Sequence, residues 1–104
     1  MSARDVIVRD ARAEDAAALA RLSTQLGYPA VPGDMPARLE LLERDANARV
    51  LVAEVDGETI GLATAHVRHT INHATPLAQL TLLVVDETRR TRGVGRALVG
   101  AAER

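Results

Sequence analysis

Apolar positions along this chain change their period several times, and each change marks an element. Residues 5–9, DVIVR, set β-branched side chains between charges and predict a short strand. From residue 13 the period lengthens. Leu19, Leu22 and Leu26 recur at helical spacing, with Glu14 and Asp15 at the positive end of a helix over residues 13–26. GYPAVPGD breaks the chain twice with Gly and Pro, and a second helix fits residues 36–45. Pro36 suits its first position, Asp34 or Met35 its cap, and Leu39 and Leu42 its apolar stripe. Two β-branched runs, residues 49–55 and 59–68, then flank Asp56-Gly57, a pair suited to the positive φ angles of a tight hairpin. After the loop TINHATP, LAQLTLLVV is apolar almost without interruption, which predicts a strand over residues 78–85 buried on both faces. Asp86 and Glu87 are expected to end that strand and solvate the loop behind it. Val94, Leu98, Ala101 and Ala102 mark one face of a final helix. The order β-α-α-β-β-β-α, without repeat or linker, predicts a single domain over residues 1–104, of the α/β or α+β class with a mixed sheet.

Composition narrows the picture. Hydrophobic residues make up 47% and charged residues 26% of the 104, which is enough for one core. Tyr28 is the one aromatic residue, so that core must be built from Leu, Val, Ile and Ala. All 13 cations are arginine, a bias that removes meaning from arginine count alone. A net charge of −1 gives no general attraction to nucleic acid or anionic membrane, and neither is expected as a partner. With no cysteine, disulfides, thiolate metal ligands and a cysteine nucleophile are excluded. The charged N-terminus lacks the apolar segment of a signal peptide, and no apolar run reaches membrane-spanning length, so a cytoplasmic location is expected.

Against that background RRTRGVGRAL, residues 89–98, stands out at a strand-to-helix junction. A helix start carries unpaired N–H groups and about half a positive charge. Gly93 and Gly95 allow close approach to the backbone, and Arg89, Arg90, Arg92 and Arg96 surround that end with guanidinium groups. Such a mouth suits a pyrophosphate. The residues are equally compatible with a solvated, arginine-rich turn before an ordinary helix. Neither the Walker pattern nor GxGxxG is present, since position 98 is Leu.

The segment LAQLTLLVVDETRRTRGVGRALVGAAER closely resembles the acetyl-CoA-binding core of the GNAT superfamily of N-acetyltransferases, and Arg90-Thr91-Arg92-Gly93-Val94-Gly95 matches its R/Q-x-x-G-x-G/A motif. VIVRDARAEDAAALARL and VLVAEVDGETIGLATAHV look like the corresponding upstream segments, so the similarity spans essentially the whole chain. It implies a GNAT-like acyl-CoA N-acyltransferase fold, cut short of the usual C-terminal strands and helix. It also implies transfer of an acetyl group from acetyl-CoA to a primary amine, on a small molecule or a peptide. Carried over, it implies that the backbone of Leu83, Val84 and Val85 pairs with the pantetheine arm. Arg90, Thr91, Arg92, Gly93, Val94 and Gly95 would hold the pyrophosphate, with Arg96 adding a charged contact.

The resemblance assigns no general base or acid. Where the family often has a carboxylate on the strand before the motif, this chain has Gln79 and Thr81, and it ends at Arg104, before the helix that often carries a tyrosine. His66 and His69, at the end of the third strand, are the candidate catalytic bases, with His73 in the next loop; plain surface histidines are the simpler reading. The i, i+4 spacing of His69 and His73 does not make a metal site, because strand context and Pro76 oppose a helix there. Without a following strand, residues 78–85 would present an open edge. That predicts a fragment of a longer protein, a homodimer through the strand edge or a swapped element, or a member that binds acyl-CoA or a partner protein without catalysis.

Overall fold

The computed structural model describes residues 6–72, 74–87 and 93–103. Its elements are β1 (Ile7–Asp10), α1 (Ala16–Gln25), α2 (Met35–Glu43), β2 (Ala48–Val55), β3 (Glu58–Arg68), β4 (Leu77–Val85) and α3 (Val94–Ala102). The element order is the expected one, and most boundaries fall within two residues of those read from the pattern. Short 3₁₀ turns, Ala13–Asp15 and Pro32–Asp34, lead into α1 and α2.

The four strands form one sheet in the order β1-β2-β3-β4, every pairing antiparallel. Asp56 and Gly57, with φ of 53° and 81°, close the β2–β3 hairpin in the positive-φ geometry that their identities suggested. Helix α1 ends at Gly27, whose φ is 103°. There the Tyr28 N–H donates to Ser23 O at 3.0 Å and the Gly27 N–H to Thr24 O at 3.0 Å, the double closure that a left-handed glycine permits.

Helices cover both faces of the sheet. On one face Leu19, Ala20 and Leu22 of α1 and Met35 and Leu39 of α2 pack with Val52, Leu62 and Val84. On the other, Val94, Leu98 and Ala102 of α3 pack with Leu51, Ala53, Ala63 and Ala65. Leu26, counted with the α1 stripe on spacing alone, lies beyond the helix and is 38% exposed. Helix α3 sits close because position 61 is glycine: a Cβ there would stand 2.9 Å from Leu98 Cδ1 and 3.2 Å from Val94 Cγ1. Its far end is held by Arg49, whose Nη1 donates to Ala101 O at 3.0 Å.

Two expectations are overturned here. Strand β4 is not buried on both faces. Of its nine residues only Val84 is buried, while Leu77, Leu80 and Leu83 are each at least 36% exposed. An unbroken apolar run signals two apolar faces but not that both are covered, and β4 is the last strand of the described sheet. Asp86, expected to be solvated, is 6% exposed and paired with Arg21.

Candidate cofactor and acceptor site

Strand β4 can be read amide by amide. The Asp86 N–H donates to Ile60 O at 2.7 Å, so the antiparallel alternation turns the backbone groups of Val84 and Leu82 toward β3 and those of Leu83 and Val85 to the outer side. Among the described residues no strand pairs with that outer side. Within the trio of the family resemblance, then, Val84 is committed to the sheet by its backbone and to the core by its side chain, whereas Leu83 and Val85 face outward. Between Thr64 and Ala65 the register shifts, leaving Thr81 as an extra residue in β4.

The chain leaves β4 on a fixed path. Arg21 of α1 donates from Nε to Asp86 Oδ2 at 3.2 Å and from Nη2 to Thr59 O at 2.7 Å. Gln25, one turn on, accepts the Glu87 N–H on Oε1 at 2.9 Å. Helix α1 thus holds both the start of the β4–α3 connection and the β2–β3 end of the sheet. Nothing in the local pattern marks these contacts, which join residues more than thirty positions apart. Arg89, Arg90, Thr91 and Arg92 lie outside the described residues, as does His73.

Gly93 caps the start of α3 with φ of 100°. Its carbonyl accepts the Ala97 N–H at 2.8 Å, which opens the helix. The N–H groups of Val94, Gly95 and Arg96 precede the first intrahelical donor and form the positive end of the helix dipole. Arg96 is exposed, and Val94 is buried under the sheet. Gly93 is required by its own φ. Gly95 is not: a Cβ there would meet nothing within 4 Å. A glycine in a helical turn costs stability relative to alanine, so its presence beside open space suits a ligand that approaches the backbone. In this respect the residues present fit an acyl-CoA diphosphate.

On the face of the sheet opposite α3, a groove of about 160 Å³ lies between α1, α2 and strands β2 to β4. Leu19, Met35, Leu39, Leu62 and Leu82 give it apolar walls; Ser23, Thr64 and Arg38 supply its polar lining. Next to it on β3 and β4 runs a polar chain. The hydroxyls of Thr64 and Thr81 are 2.8 Å apart, and Thr81 Oγ1 lies 3.5 Å from His66 Nδ1. Arg68 Nη1 donates to Gln79 Oε1 at 2.7 Å at the outer end. His66 is half-buried within β3, whereas His69 is exposed beyond it, so the structure separates the two histidine candidates. Thr64 and Thr81 were missed as a pair from sequence because their contact depends on the β4 bulge.

A strand that leads into a helix opened at Gly93 is the element order that the resemblance implied. The profile of the Acetyltransferase (GNAT) family matches residues 14–104, and the chain belongs to that family. No curated protein matches the sequence significantly. Among solved structures, a GNAT family acetyltransferase from Staphylococcus aureus superposes with a TM-score of 0.82 at 22% identity, over 94% of this chain and 75% of that one. A putative acetyltransferase from Agrobacterium tumefaciens gives 0.79 at 25% identity, over 92% and 69%. The aminoglycoside N-acetyltransferase AAC(6')-Iy, in complex with CoA, gives 0.78 at 24% identity, over 97% and 68%. The likeness to the first and third is one of fold.

Proposed function

We propose that this domain transfers an acetyl group from acetyl-CoA to a primary amine of a small molecule or peptide. Family membership supports acyl transfer in general. The observation that carries the finer reading is the pairing of an outward-facing β4 backbone with a helix start where Gly95 leaves open space beside the first-turn amides. The outward N–H and C=O of Leu83 hydrogen-bond the amide groups of the pantetheine arm as a neighbouring strand would, with Val85 continuing the strand beside it. The first-turn amides of α3, with Gly93, Val94 and Gly95, take the diphosphate, joined by Arg90, Thr91, Arg92 and Arg96. Val84 contributes by packing, holding β4 against the α1–α2 layer. Acetyl-CoA, when bound, supplies the activated thioester. The acceptor amine reaches it from the α1–α2 side, and outward amides of β4 polarise the carbonyl under attack. The second reading, a module that binds acyl-CoA without catalysis, retains the cofactor residues and gives up the acceptor role.

Calorimetric titration with acetyl-CoA, CoA, ATP and NAD tests the reading. Binding of the first two with at least tenfold preference over the others is the expected result. Equal binding of ATP reduces the site to a general phosphate receptor and removes the acyl reading. Release of free CoA in the presence of amines separates the transferase from the non-catalytic module. A cytoplasmic location and a homodimer formed through the β4 edge complete the proposal.

A further inference from the structure

The groove between α1, α2 and the sheet has a composition that restricts what enters it. Its walls are leucine, methionine and valine, and the lining includes no carboxylate among the described residues. The one charged lining group is Arg38, whose carboxylate neighbour Asp34 stands 3.9 Å away, outside the lining. A polycation would find a guanidinium here and no counter-charge. A compact apolar group finds a cavity matched to a few carbons. An amine whose nitrogen enters beside Arg38 is also favoured in its neutral form, the form that attacks a carbonyl.

Neutrality requires somewhere for the proton to go. Thr64 lines the groove and its hydroxyl is 2.8 Å from that of Thr81, which in turn lies 3.5 Å from His66 Nδ1. Thr81 can also donate to Thr64 O at 3.2 Å, so its hydroxyl proton has two orientations, one of them toward the imidazole. Ala48 faces His66 from β2, and Gln79 and Thr81 face it from β4. Arg68, held by Gln79, is the charged group two positions along its own strand, with Glu58 at the strand's far end, and Arg38 the one lining the groove beside it.

We propose that this groove is the acceptor site for a compact apolar monoamine, and that Thr64, Thr81 and His66 carry away its proton. The inference rests on the acyltransferase reading and gives that site its substrate class. In the step, the ammonium N–H bond breaks and its proton moves to Thr64 Oγ1. The Thr64 hydroxyl proton passes to Thr81 Oγ1, and the Thr81 proton passes to His66 Nδ1. The products are a neutral amine with a free electron pair and an imidazolium, both hydroxyls are restored, and nothing is oxidised or reduced. The half-buried ring then returns its proton to solvent.

The test uses the whole chain and needs no acetyl-CoA, so it stands apart from the acyltransferase reading. Isoamylamine is titrated as its ammonium salt at constant pH and followed by NMR, with spermidine as the polycationic control. Saturable amide shifts at Leu62, Thr64 and Leu82 with isoamylamine, and at least tenfold weaker binding of spermidine, are expected. In the isosteric Thr81→Val, which leaves the groove walls intact, the amide shifts should persist. Stronger binding of spermidine, or no groove shifts with isoamylamine, overturns the substrate class. Where turnover is measured, the rise of kcat/KM with pH should flatten in both His66→Gln and Thr81→Val, with a loss of at least tenfold at neutral pH. An unaltered pH profile sinks the role.

Discussion

Asp15 joins the end of β1 to the start of α1 through one carboxylate. Arg9 grips it with two bonds, Nη1 to Oδ2 at 2.8 Å and Nη2 to Oδ1 at 2.9 Å, and the Arg12 N–H donates to Oδ2 at 2.7 Å. Arg9 also reaches Glu54 on β2 at 3.0 Å. These bonds favour the charged carboxylate, and the Arg9 bonds hold the Asp15 pKa below its ordinary value against the opposing cost of burial. Because the folded-state pKa lies below the unfolded one of about 3.9, the pair's contribution is complete above that pH and disappears as pH falls through the lowered value. Asp15→Asn is therefore expected to cost about 1–3 kcal/mol at neutral pH and to flatten the acid limb of a stability–pH curve measured by urea melts. An acid limb identical to wild type would remove Asp15 from the account. Gly95 gives a prediction of opposite character. With open space around its Cβ position, Gly95→Ala should leave the fold intact and add up to about 0.5 kcal/mol through helix propensity, while weakening acetyl-CoA binding at least tenfold. A variant that binds as tightly as wild type would show that the first turn of α3 does not meet the ligand.

At the scale of elements, what the pattern revealed and what it hid differ in range. The hairpin at Asp56-Gly57, the apolar stripe of α3 and the break at Gly27 depend on neighbours within a few residues, and all three are legible in the sequence. The exposure of β4 and the burial of Asp86 depend on what lies beside them in space, and neither is. Arg21 and Asp86 are 65 positions apart, and only the fold makes them partners. Among the candidate cofactor residues, Leu83, Val84 and Val85 could be placed on β4, and Val94, Gly95 and Arg96 on α3, from the motif. The division of β4 into inward and outward amides needed the register, and the Thr64–Thr81 contact needed the bulge. Gly61 shows the same limit: in sequence it is a weak point inside a strand, in the structure it is the seat of α3. Gly61→Val should lift α3 from the sheet and destabilise the protein by about 3 kcal/mol, with Gly61→Ala costing about 1, because Leu98 Cδ1 can swing away from one added carbon more easily than three. Chemical denaturation of both variants checks the order. Since α3 carries the candidate diphosphate amides, CoA affinity should fall in the same order.

At the scale of the molecule, the side of β4 that no strand covers among the described residues is offered two uses. Its outward backbone can bind a ligand as an added strand, or it can pair with the same edge of a second copy. The side chains beside it favour association. Leu80 and Leu83 both point to the α3 face, opposite Ala65 and Ala63 in the register, and each is 36% exposed. Both uses need the same N–H and C=O groups of Leu83, so they exclude one another. Self-association through this edge should therefore be reversed by acetyl-CoA, with the sedimentation-velocity distribution moving from dimer to monomer as the ligand saturates. Leu80→Lys places a charge beside the edge without touching its hydrogen-bonding groups. It should produce a monomer at concentrations where wild type pairs, leave the fold unchanged, and tighten apparent acetyl-CoA affinity by removing the competing partner. A dimer that persists in Leu80→Lys, or one that binds acetyl-CoA without dissociating, places the interface elsewhere and leaves β4 to the ligand alone.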